Sequence, residues 1–234
     1  LEGWEELFFD EFCFGECHVH ISQVTALVES SDPIVELPHP PLGPVELGIG
    51  RFVAELIPDG ATLQIGIGAI PDAVVQQLGD KNDLGVHTEM FGDGILSLLE
   101  AGVITNSRKN LHHGKMLATF ALGSRHLYEY MHLNPALEMH PVDVTNDPYL
   151  AGENDNLHSI NGTLAVDLIG QCGSETLGHR PYSGSGGQVD FVRAANRSKG
   201  GKAIIVLPST ARGGTVSRIV AALAPGTHVT TGKN

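Results

Sequence analysis

Residues 84–94 have the sequence Leu-Gly-Val-His-Thr-Glu-Met-Phe-Gly-Asp-Gly, in which a short apolar run leads to one carboxylate and then to a glycine-marked turn. Leu84 and Val86 predict a short buried strand, and apolar residues recur at helical spacing after Gly94. Open α/β sheets bind their ligands outside the carboxyl ends of their strands. The carboxylate, Glu89, is therefore predicted to lie at a ligand-binding edge.

A second strand, glycine loop and helix start precede that stretch, in Gln64-Ile-Gly-Ile-Gly-Ala-Ile-Pro-Asp72. Gly66 and Gly68 match the first two glycines of a dinucleotide fingerprint, but Pro71 stands where the third glycine belongs, which weakens a nicotinamide hypothesis. With Pro71 at the first helical position, the helix N-terminus could receive an anion such as pyrophosphate. A tight turn without a ligand remains an equal alternative.

The order of predicted elements indicates the domain organisation. The proline-rich segment 36–44 predicts an extended linker, and residues 1–35 predict a remnant of a preceding domain or a divergent segment. After the linker, short strands alternate with helices, which predicts a mostly parallel sheet in a domain spanning 45–234. The first predicted helix of this domain places Ile49, Phe52, Val53 and Leu56 on its buried face.

Composition excludes some classes of partner. The chain has 234 residues and a formal charge of −13, which argues against binding to nucleic acid or to an anionic membrane. Three cysteines form no even disulfide framework, which indicates a reducing compartment. With no apolar run long enough for a membrane helix and no basic leader, we expect a cytoplasmic protein.

Two further groups of residues are candidate sites, a glycine-rich loop and the clusters of histidines. The loop Ser183-Gly-Ser-Gly-Gly-Gln188 exposes backbone N–H groups that could stabilise an oxyanion, although a flexible surface loop is an equal interpretation. Ser185 does not have a glycine two residues away on each side, as the serine-hydrolase elbow requires, because position 183 is a serine. The histidine clusters in Cys17-His-Val-His20 and His112-His113 have no second cluster at zinc spacing, so we expect no metal.

Six ordered motifs, taken together, resemble the acetyl-CoA hydrolase/transferase family. The resemblance runs from about residue 17 to the C-terminus, and six motifs in order are far more specific than any one of them. The motifs are Gly66-Ile-Gly-Ala-Ile-Pro-Asp-Ala73, Gly85-Val-His-Thr-Glu-Met90, Thr119-Phe-Ala-Leu-Gly-Ser124, Pro141-Val-Asp-Val-Thr-Asn-Asp-Pro148, the stretch 160–170, and Gly186-Gly-Gln-Val-Asp-Phe-Val-Arg193.

The resemblance implies an α/β fold, with an open, mostly parallel sheet of the coenzyme A transferase type and flanking helices. It implies most of the second of two related domains, without the first domain and without the last strand and helix. It also implies that Glu89 is the covalent nucleophile and that Asn161 is a polar partner of the acyl group. Coenzyme A would contact the glycine loop, the backbone around one leucine and the glycine pair near the thioester, which are Gly66, Ile67, Gly68, Ala69, Ile70, Leu164, Gly186 and Gly187.

The activity implied by the resemblance is a ping-pong transfer of coenzyme A through a glutamyl-CoA thioester. The substrates would be an acyl-CoA and a short-chain carboxylate of the 4-hydroxybutyrate or acetate class, with no metal, and a homo-oligomer is compatible with this activity. An acyl-CoA hydrolase is the nearest alternative, since only access of water to the glutamyl intermediate separates the two. A non-catalytic coenzyme- or nucleotide-binding module is an alternative of another class, and a nicotinamide oxidoreductase comes third.

Overall fold

The structure is a computed structural model that describes residues 4–5, 12–30, 32–37 and 41–232. The predicted linker falls partly outside these residues, at 38–40, and its last residue, Pro44, already begins a helix. The boundaries of the predicted domains therefore stay a prediction. In the described part of the chain, no helix combines the length and the apolar character needed to cross a bilayer.

Seven helices are described, and most of them follow a strand. They are α1 (Pro44–Ala54), α2 (Ala69–Gln76), α3 (Asp93–Glu100), α4 (Arg125–Met131), α5 (Val142–Thr145), α6 (Pro148–Ala151) and α7 (Gln188–Arg197), with a short 3₁₀ turn over Ile21–Gln23.

The described strands are mostly short. They are β1 (Trp4–Glu5), β2 (Phe14–Gly15), β3 (Val19–His20), β4 (Thr62–Ile65), β5 (Gly85–Val86), β6 (Met90–Phe91), β7 (Met116–Ala118), β8 (Phe120–Ala121), β9 (Leu137–Met139), β10 (Leu157–Gly162), β11 (Ala165–Asp167), β12 (Cys172–Gly173), β13 (Thr176–Leu177), β14 (Arg180–Pro181), β15 (Lys202–Val206), β16 (Thr210–Ala211), β17 (Val216–Ser217) and β18 (Ile219–Val220).

The central sheet has the strand order β15-β10-β4-β5, and all of its neighbouring strands are parallel. All four residues of β4 are buried, as expected for a strand that is covered on both faces. A second parallel sheet, β2-β9-β7, lies beside β5, because His87 forms a parallel bridge to Leu117. The predicted α/β fold with a mostly parallel sheet is confirmed.

Helices cover the sheet and complete the core. Helix α2 packs against α1 and α3, and α7 packs against β10 and β15. The largest completely buried side chains are those of Phe91, Phe191, Ile57, Leu63, Leu78, Leu84, Met116, Leu117, Leu127, Leu137, Leu157 and Ile160. The loops at the strand ends therefore extend from a closely packed core.

Two helices differ in detail from the sequence-based expectation. Helix α1 buries Gly50, Val53 and Ala54, whereas Phe52 is 61% exposed, because the close approach of α1 to α2 is made at Gly50. A Cβ at Gly50 would lie 2.7 Å from the carbonyl carbon of Ala73 in α2. Helix α2 begins at Ala69, two residues earlier than predicted.

Residues before the predicted linker also contact this domain. Strand β2 pairs in parallel with β9, and the hydroxyl of Tyr128 donates a hydrogen bond to the carbonyl oxygen of Val35, over 2.8 Å. The backbone N–H of Leu37 donates to the carbonyl oxygen of Gly123. Part of the segment 12–37 therefore lies along the same domain as the sheet.

Candidate functional site

Glu89 lies just beyond the carboxyl end of β5, in the gap between that strand and β6. Its backbone carbonyl accepts hydrogen bonds from the N–H groups of Thr119 and Phe120, over 2.9 and 3.1 Å. Thr119 lies in the matching break between β7 and β8, and Phe120 begins β8. The half-buried carboxylate of Glu89 is thus held at a sheet edge, where the sequence predicted it.

Gly187 lies directly against this carboxylate. A Cβ at Gly187 would overlap Glu89 Oε2, and it would lie 2.7 Å from Asn146 Nδ2 and 3.2 Å from the ring of Phe191. A side chain at this position therefore cannot be accommodated without moving Glu89 or Asn146. The structure brings Glu89 and Gly187 together, although they are 98 positions apart in the sequence.

Gly187 is also the N-cap of α7, which begins at Gln188, the last residue of the predicted loop 183–188. The N-terminus of a helix carries partial positive charge and favours anions. Placed beside Glu89, it can stabilise the carboxylate and an oxyanion that develops on a reacting carbonyl. Gly186, the preceding residue, is exposed and has a φ of +53°, so this turn uses glycine in the left-handed region.

Asn146 is a site residue that the sequence reasoning did not identify. Its side chain is buried, with Nδ2 beside Gly187, and its Oδ1 has no hydrogen-bond partner among the described residues. Buried polar atoms without a partner are rare and often occur at functional sites. The only signal in the sequence was its place in the motif 141–148, where an asparagine beside an aspartate is more typical of a turn.

His87 connects the Glu89 strand to the segment that carries Asn146. The ring is completely buried, its Nε2 lies 2.7 Å from the carbonyl oxygen of Thr145, and its Nδ1 lies 3.2 Å from Asn154 Nδ2. Since a carbonyl only accepts and Asn154 Nδ2 only donates, His87 is neutral with its proton on Nε2. Burial, with the charge of Lys109, lowers the pKa of His87 to about 3.

The glycine loop leaves β4 next to the Glu89 strand. The Thr88 hydroxyl donates to the carbonyl oxygen of Ile65 over 3.2 Å, which fixes the end of β4. The N–H of Gly66 donates to the carbonyl oxygen of Ile160, and Gly68 has a φ of +117°. Ile67 is exposed, and Ala69 and Ile70 form the first turn of α2. The loop thus presents backbone and a helix N-terminus to solvent, which is a suitable arrangement for a phosphate group.

Asn161 has a partner inside the sheet. Its Nδ2 donates to Gln64 Oε1 over 2.8 Å, and Gln64 Nε2 donates back to its Oδ1 over 3.2 Å. The structure also brings Asn161 to the glycine loop, since a Cβ at Gly66 would lie 3.3 Å from Asn161 Oδ1. Its amide therefore supports the loop, and an acyl group would have to share it with Gln64.

Leu164 lies after β10 and belongs to a different set of contacts. Its backbone N–H donates to the carbonyl oxygen of Gly173, over 3.1 Å. The hydroxyl of Thr163 donates to the same oxygen over 3.0 Å. A contact between coenzyme A and this part of the backbone would therefore use the Leu164 carbonyl rather than its N–H.

Comparison with known proteins places this geometry in a family. Residues 123–234 match the family model of the acetyl-CoA hydrolase/transferase C-terminal domain. The chain is 55% identical to succinyl-CoA:cyclohexane-1-carboxylate CoA transferase of Geobacter metallireducens, over 94% of this chain and 50% of that protein. It is 52% identical to 4-hydroxybutyrate coenzyme A transferase of Clostridium kluyveri, over 94% of this chain and 51% of that protein.

Solved structures give the same result. The crystal structure of 4-hydroxybutyrate CoA-transferase from Porphyromonas gingivalis is 45% identical, with a TM-score of 0.82 over 93% of this chain and 52% of that one. The expected coenzyme A transferase type of fold is thereby confirmed. The chain spans about half the length of the curated relatives it matches. On this evidence, the chain belongs to the acetyl-CoA hydrolase/transferase family.

Proposed function

We propose that this chain carries the nucleophile of a coenzyme A transferase, which moves coenzyme A between an acyl-CoA and a short-chain carboxylate of the 4-hydroxybutyrate or acetate class. The observation that supports this most strongly is the position of the Glu89 carboxylate against Gly187 at the N-terminus of α7. The names of the two 4-hydroxybutyrate CoA transferases described above support this substrate class, and the Geobacter metallireducens relative, named for a cyclic carboxylate, supports the transfer of coenzyme A between carboxylates.

In the proposed reaction, the Glu89 carboxylate is first the nucleophile. Its side-chain carbonyl is then attacked twice, and the carboxylate is the leaving group in the last step. A carboxylate oxygen of Glu89 attacks the acyl-CoA carbonyl, and the thiolate leaves to give a mixed anhydride. The thiolate then attacks the glutamyl carbonyl, which releases the first carboxylate and forms a glutamyl-CoA thioester. The incoming carboxylate repeats these steps in reverse, so that a new acyl-CoA forms and the Glu89 carboxylate is regenerated without ATP.

The neighbours of Glu89 have separate roles in this proposal. Each tetrahedral intermediate carries its negative charge on an oxygen, and the N-terminus of α7 at Gly187, together with the Asn146 amide, can donate hydrogen bonds to that oxygen. The glycine loop from Gly66 to Ile70 binds a phosphate group of coenzyme A at the N-terminus of α2. Asn161 and the Leu164 carbonyl contribute polar contacts to the same substrate.

An acyl-CoA hydrolase is the second candidate, and it differs only in the nucleophile that reaches the intermediate. If water enters instead of a carboxylate, the glutamyl-CoA thioester is hydrolysed and free coenzyme A accumulates. The half-buried state of Glu89 in this chain supports limited access of solvent, as transfer requires.

The test is an assay of transfer and hydrolysis side by side, with this chain and with the complete natural protein that contains it. Butyryl-CoA is supplied with acetate, and chromatography follows acetyl-CoA and free coenzyme A separately. We expect acetyl-CoA to form only when acetate is present, and to form faster than free coenzyme A. Release of free coenzyme A at a rate independent of acetate would favour the hydrolase, and the absence of both products from both samples would contradict the proposal.

A further inference from the structure

Three side chains with metal-binding atoms converge at a second place, outside the Glu89 site. His112 lies in the loop before β7, Glu138 lies in β9, and His140 follows β9 immediately. One ligand atom from each of the three lies within 4.8 Å of the others. Glu138 and His140 point to the same face of their strand because they are two positions apart.

The geometry centres on one oxygen atom. Glu138 Oε2 lies 2.7 Å from His112 Nδ1 and 3.5 Å from His140 Nε2, and the two imidazole rings are 5.2 Å apart at an angle of 67°. Two imidazole nitrogens thus face one carboxylate oxygen from different directions. Two histidines and a carboxylate form the ligand set of many three-ligand zinc sites, in which a water molecule takes the fourth position.

A second observation, independent of the distances between the three ligand atoms, comes from the surroundings of His140. Its side chain is only 10% exposed, and neither ring nitrogen has a hydrogen-bond partner among the described residues. The 3.5 Å separation from Glu138 Oε2 is long for a charge-assisted hydrogen bond. A buried imidazole that has no close hydrogen bond at either nitrogen requires an explanation, and a bound ion is one that also fits the neighbouring ligand atoms.

We propose that His112 Nδ1, Glu138 Oε2 and His140 Nε2 bind one divalent transition-metal ion of the zinc type. Imidazole and carboxylate ligands suit Zn²⁺, and the partial exposure of His112 and Glu138, at 27% and 22%, leaves a path for the ion and for a bound water. The proposal is independent of the transferase reaction, since no step of that reaction uses these three residues.

The charged groups around the site influence its affinity for a metal ion. Burial acts to raise the pKa of Glu138, but the hydrogen bond from His112, the contact with His140 Nε2 and the charge of Lys115 outweigh it and hold that pKa below its ordinary value. Glu138 is therefore an anion, which is the form in which a carboxyl group binds a metal. Lys115 Nζ lies 3.8 Å from the other oxygen, Oε1, and opposes a cation. Its side chain is 36% exposed, so it can turn towards water.

Lys109 is the second nearby cation, and it is already engaged. Its Nζ donates to the carbonyl oxygens of Val86 and Lys115, over 2.9 and 2.6 Å. Burial lowers the pKa of Lys109 to about 7, so much of its charge is lost above neutral pH. Lys109 therefore opposes a bound cation less as the pH rises above neutral.

A bound ion would be structural. It would tie the loop around His112 to the end of β9, where His140 begins the segment that leads to Thr145 and Asn146. The backbone N–H of His140 already donates to the carbonyl oxygen of Ala118, over 2.8 Å. Sequence reasoning considered His112 only together with His113, because Glu138 and His140 are 26 and 28 positions away along the chain.

The experiment is a calorimetric titration of the metal-free chain with Zn²⁺ at pH 7.5, combined with thermal unfolding in the presence and absence of the ion. The variants are His140→Gln, Glu138→Gln and His112→Gln. The matched control is His126→Gln, because His126 Nε2 also lies 2.7 Å from a carboxylate oxygen, that of Glu100, but belongs to none of the three-ligand groups found in the described residues.

We expect one saturable site whose affinity falls at least tenfold in each of the three variants and is unchanged in His126→Gln. Bound Zn²⁺ should raise the unfolding temperature of the original chain and of the control. If His140→Gln fails to fold, the more exposed His112→Gln decides the result. Absence of saturable binding, or equal affinity in His112→Gln and His126→Gln, would overturn the proposal.

Discussion

The imidazole of His87 donates a hydrogen bond from Nε2 to the carbonyl oxygen of Thr145, and the two atoms lie 2.7 Å apart. This bond joins the end of β5, two residues before Glu89, to the residue that precedes Asn146. The side-chain Nδ2 of Asn154 donates a hydrogen bond to the other ring nitrogen of His87, Nδ1. Two side chains of the candidate site therefore depend on one buried histidine that contacts no substrate in the proposed mechanism.

Replacement of His87 should reduce transfer through the position of Asn146. His87→Leu leaves the Thr145 carbonyl buried without this donor, at a cost of about 1–3 kcal/mol. It also removes one of the two hydrogen-bond acceptors of Asn154 Nδ2, which keeps the carbonyl oxygen of Ala151. We expect lower stability and a fall in kcat that is larger than the change in KM. Retention of full kcat in a variant that is clearly less stable would show that Asn146 does not need this support.

The pH dependence of stability provides a separate test of His87. In the unfolded chain its pKa is near the ordinary histidine value of 6.5, and in the folded chain burial lowers it to about 3. Between these values the unfolded state binds one more proton, so the stabilising effect is complete above pH 6.5 and is lost as the pH falls. This histidine alone contributes a slope of about 1.4 kcal/mol per pH unit.

The measurement is the free energy of unfolding between pH 6 and pH 4, for the original chain, His87→Gln and His126→Gln. His126 is exposed, so its replacement should leave the slope unchanged. The slope should be shallower in His87→Gln. Identical slopes in all three proteins would show that His87 is not buried in its neutral form.

A side chain at position 187 should stop transfer without unfolding the protein. In Gly187→Ala the new methyl group meets the Glu89 carboxylate and the Asn146 amide, and a displacement of about 1 Å costs on the order of a hundredfold in rate. Gly184→Ala is the matched control, because a Cβ there meets no described atom within 4 Å. Equal activity of the two variants would remove Gly187 from the site.

The glycine loop should affect affinity for acyl-CoA more than turnover. Gly68 has a φ of +117°, so Gly68→Ala strains the backbone by about 1–3 kcal/mol although space for the methyl group is available. We expect KM for acyl-CoA to rise about tenfold with a smaller change in kcat. Gly79→Ala is the matched control. Gly79 follows α2, has an ordinary φ and has open space at the position of a Cβ, so this variant should behave as the original chain.

The fold could be predicted from local patterns because a parallel sheet buries short apolar strands and ends them at glycine-marked loops. Leu84 and Val86 are completely or almost completely buried, as their pattern indicated. Periodicity failed at α1, where Gly50 rather than Phe52 faces the neighbouring helix. Contact between two helices depends on residue size at the crossing point, which a count of apolar residues does not contain.

The candidate site could be predicted only in part. Glu89 was found because its distinguishing feature, a carboxylate after a strand, is local in the sequence. Asn146 and the group of His112, Glu138 and His140 were missed, because their contacts join strands that are far apart in the chain. The order of the strands in the sheets decides such contacts, and that order cannot be read from the spacing of residues in the sequence.

The choice between nucleophile and neighbouring carboxylate can be tested by two substitutions at Glu89. Glu89→Gln keeps the shape of the side chain and removes its nucleophilicity, so transfer should be abolished while coenzyme A binding persists. Glu89→Asp withdraws the attacking oxygen by about 1 Å and should lose on the order of a hundredfold in rate. Comparable turnover by Glu89→Gln would rule out covalent catalysis by this residue.

The most direct test of the account is chemical identification of the intermediate on Glu89. The complete natural protein is mixed with butyryl-CoA in the absence of a carboxylate acceptor, and the thioester is trapped with hydroxylamine, which displaces coenzyme A and leaves a hydroxamate on the side chain. Mass spectrometry of the digested protein then locates the hydroxamate. The account predicts that it is found on the peptide containing Glu89 and is absent from Glu89→Gln, whereas its presence on another peptide, or its persistence in that variant, would contradict the central claim.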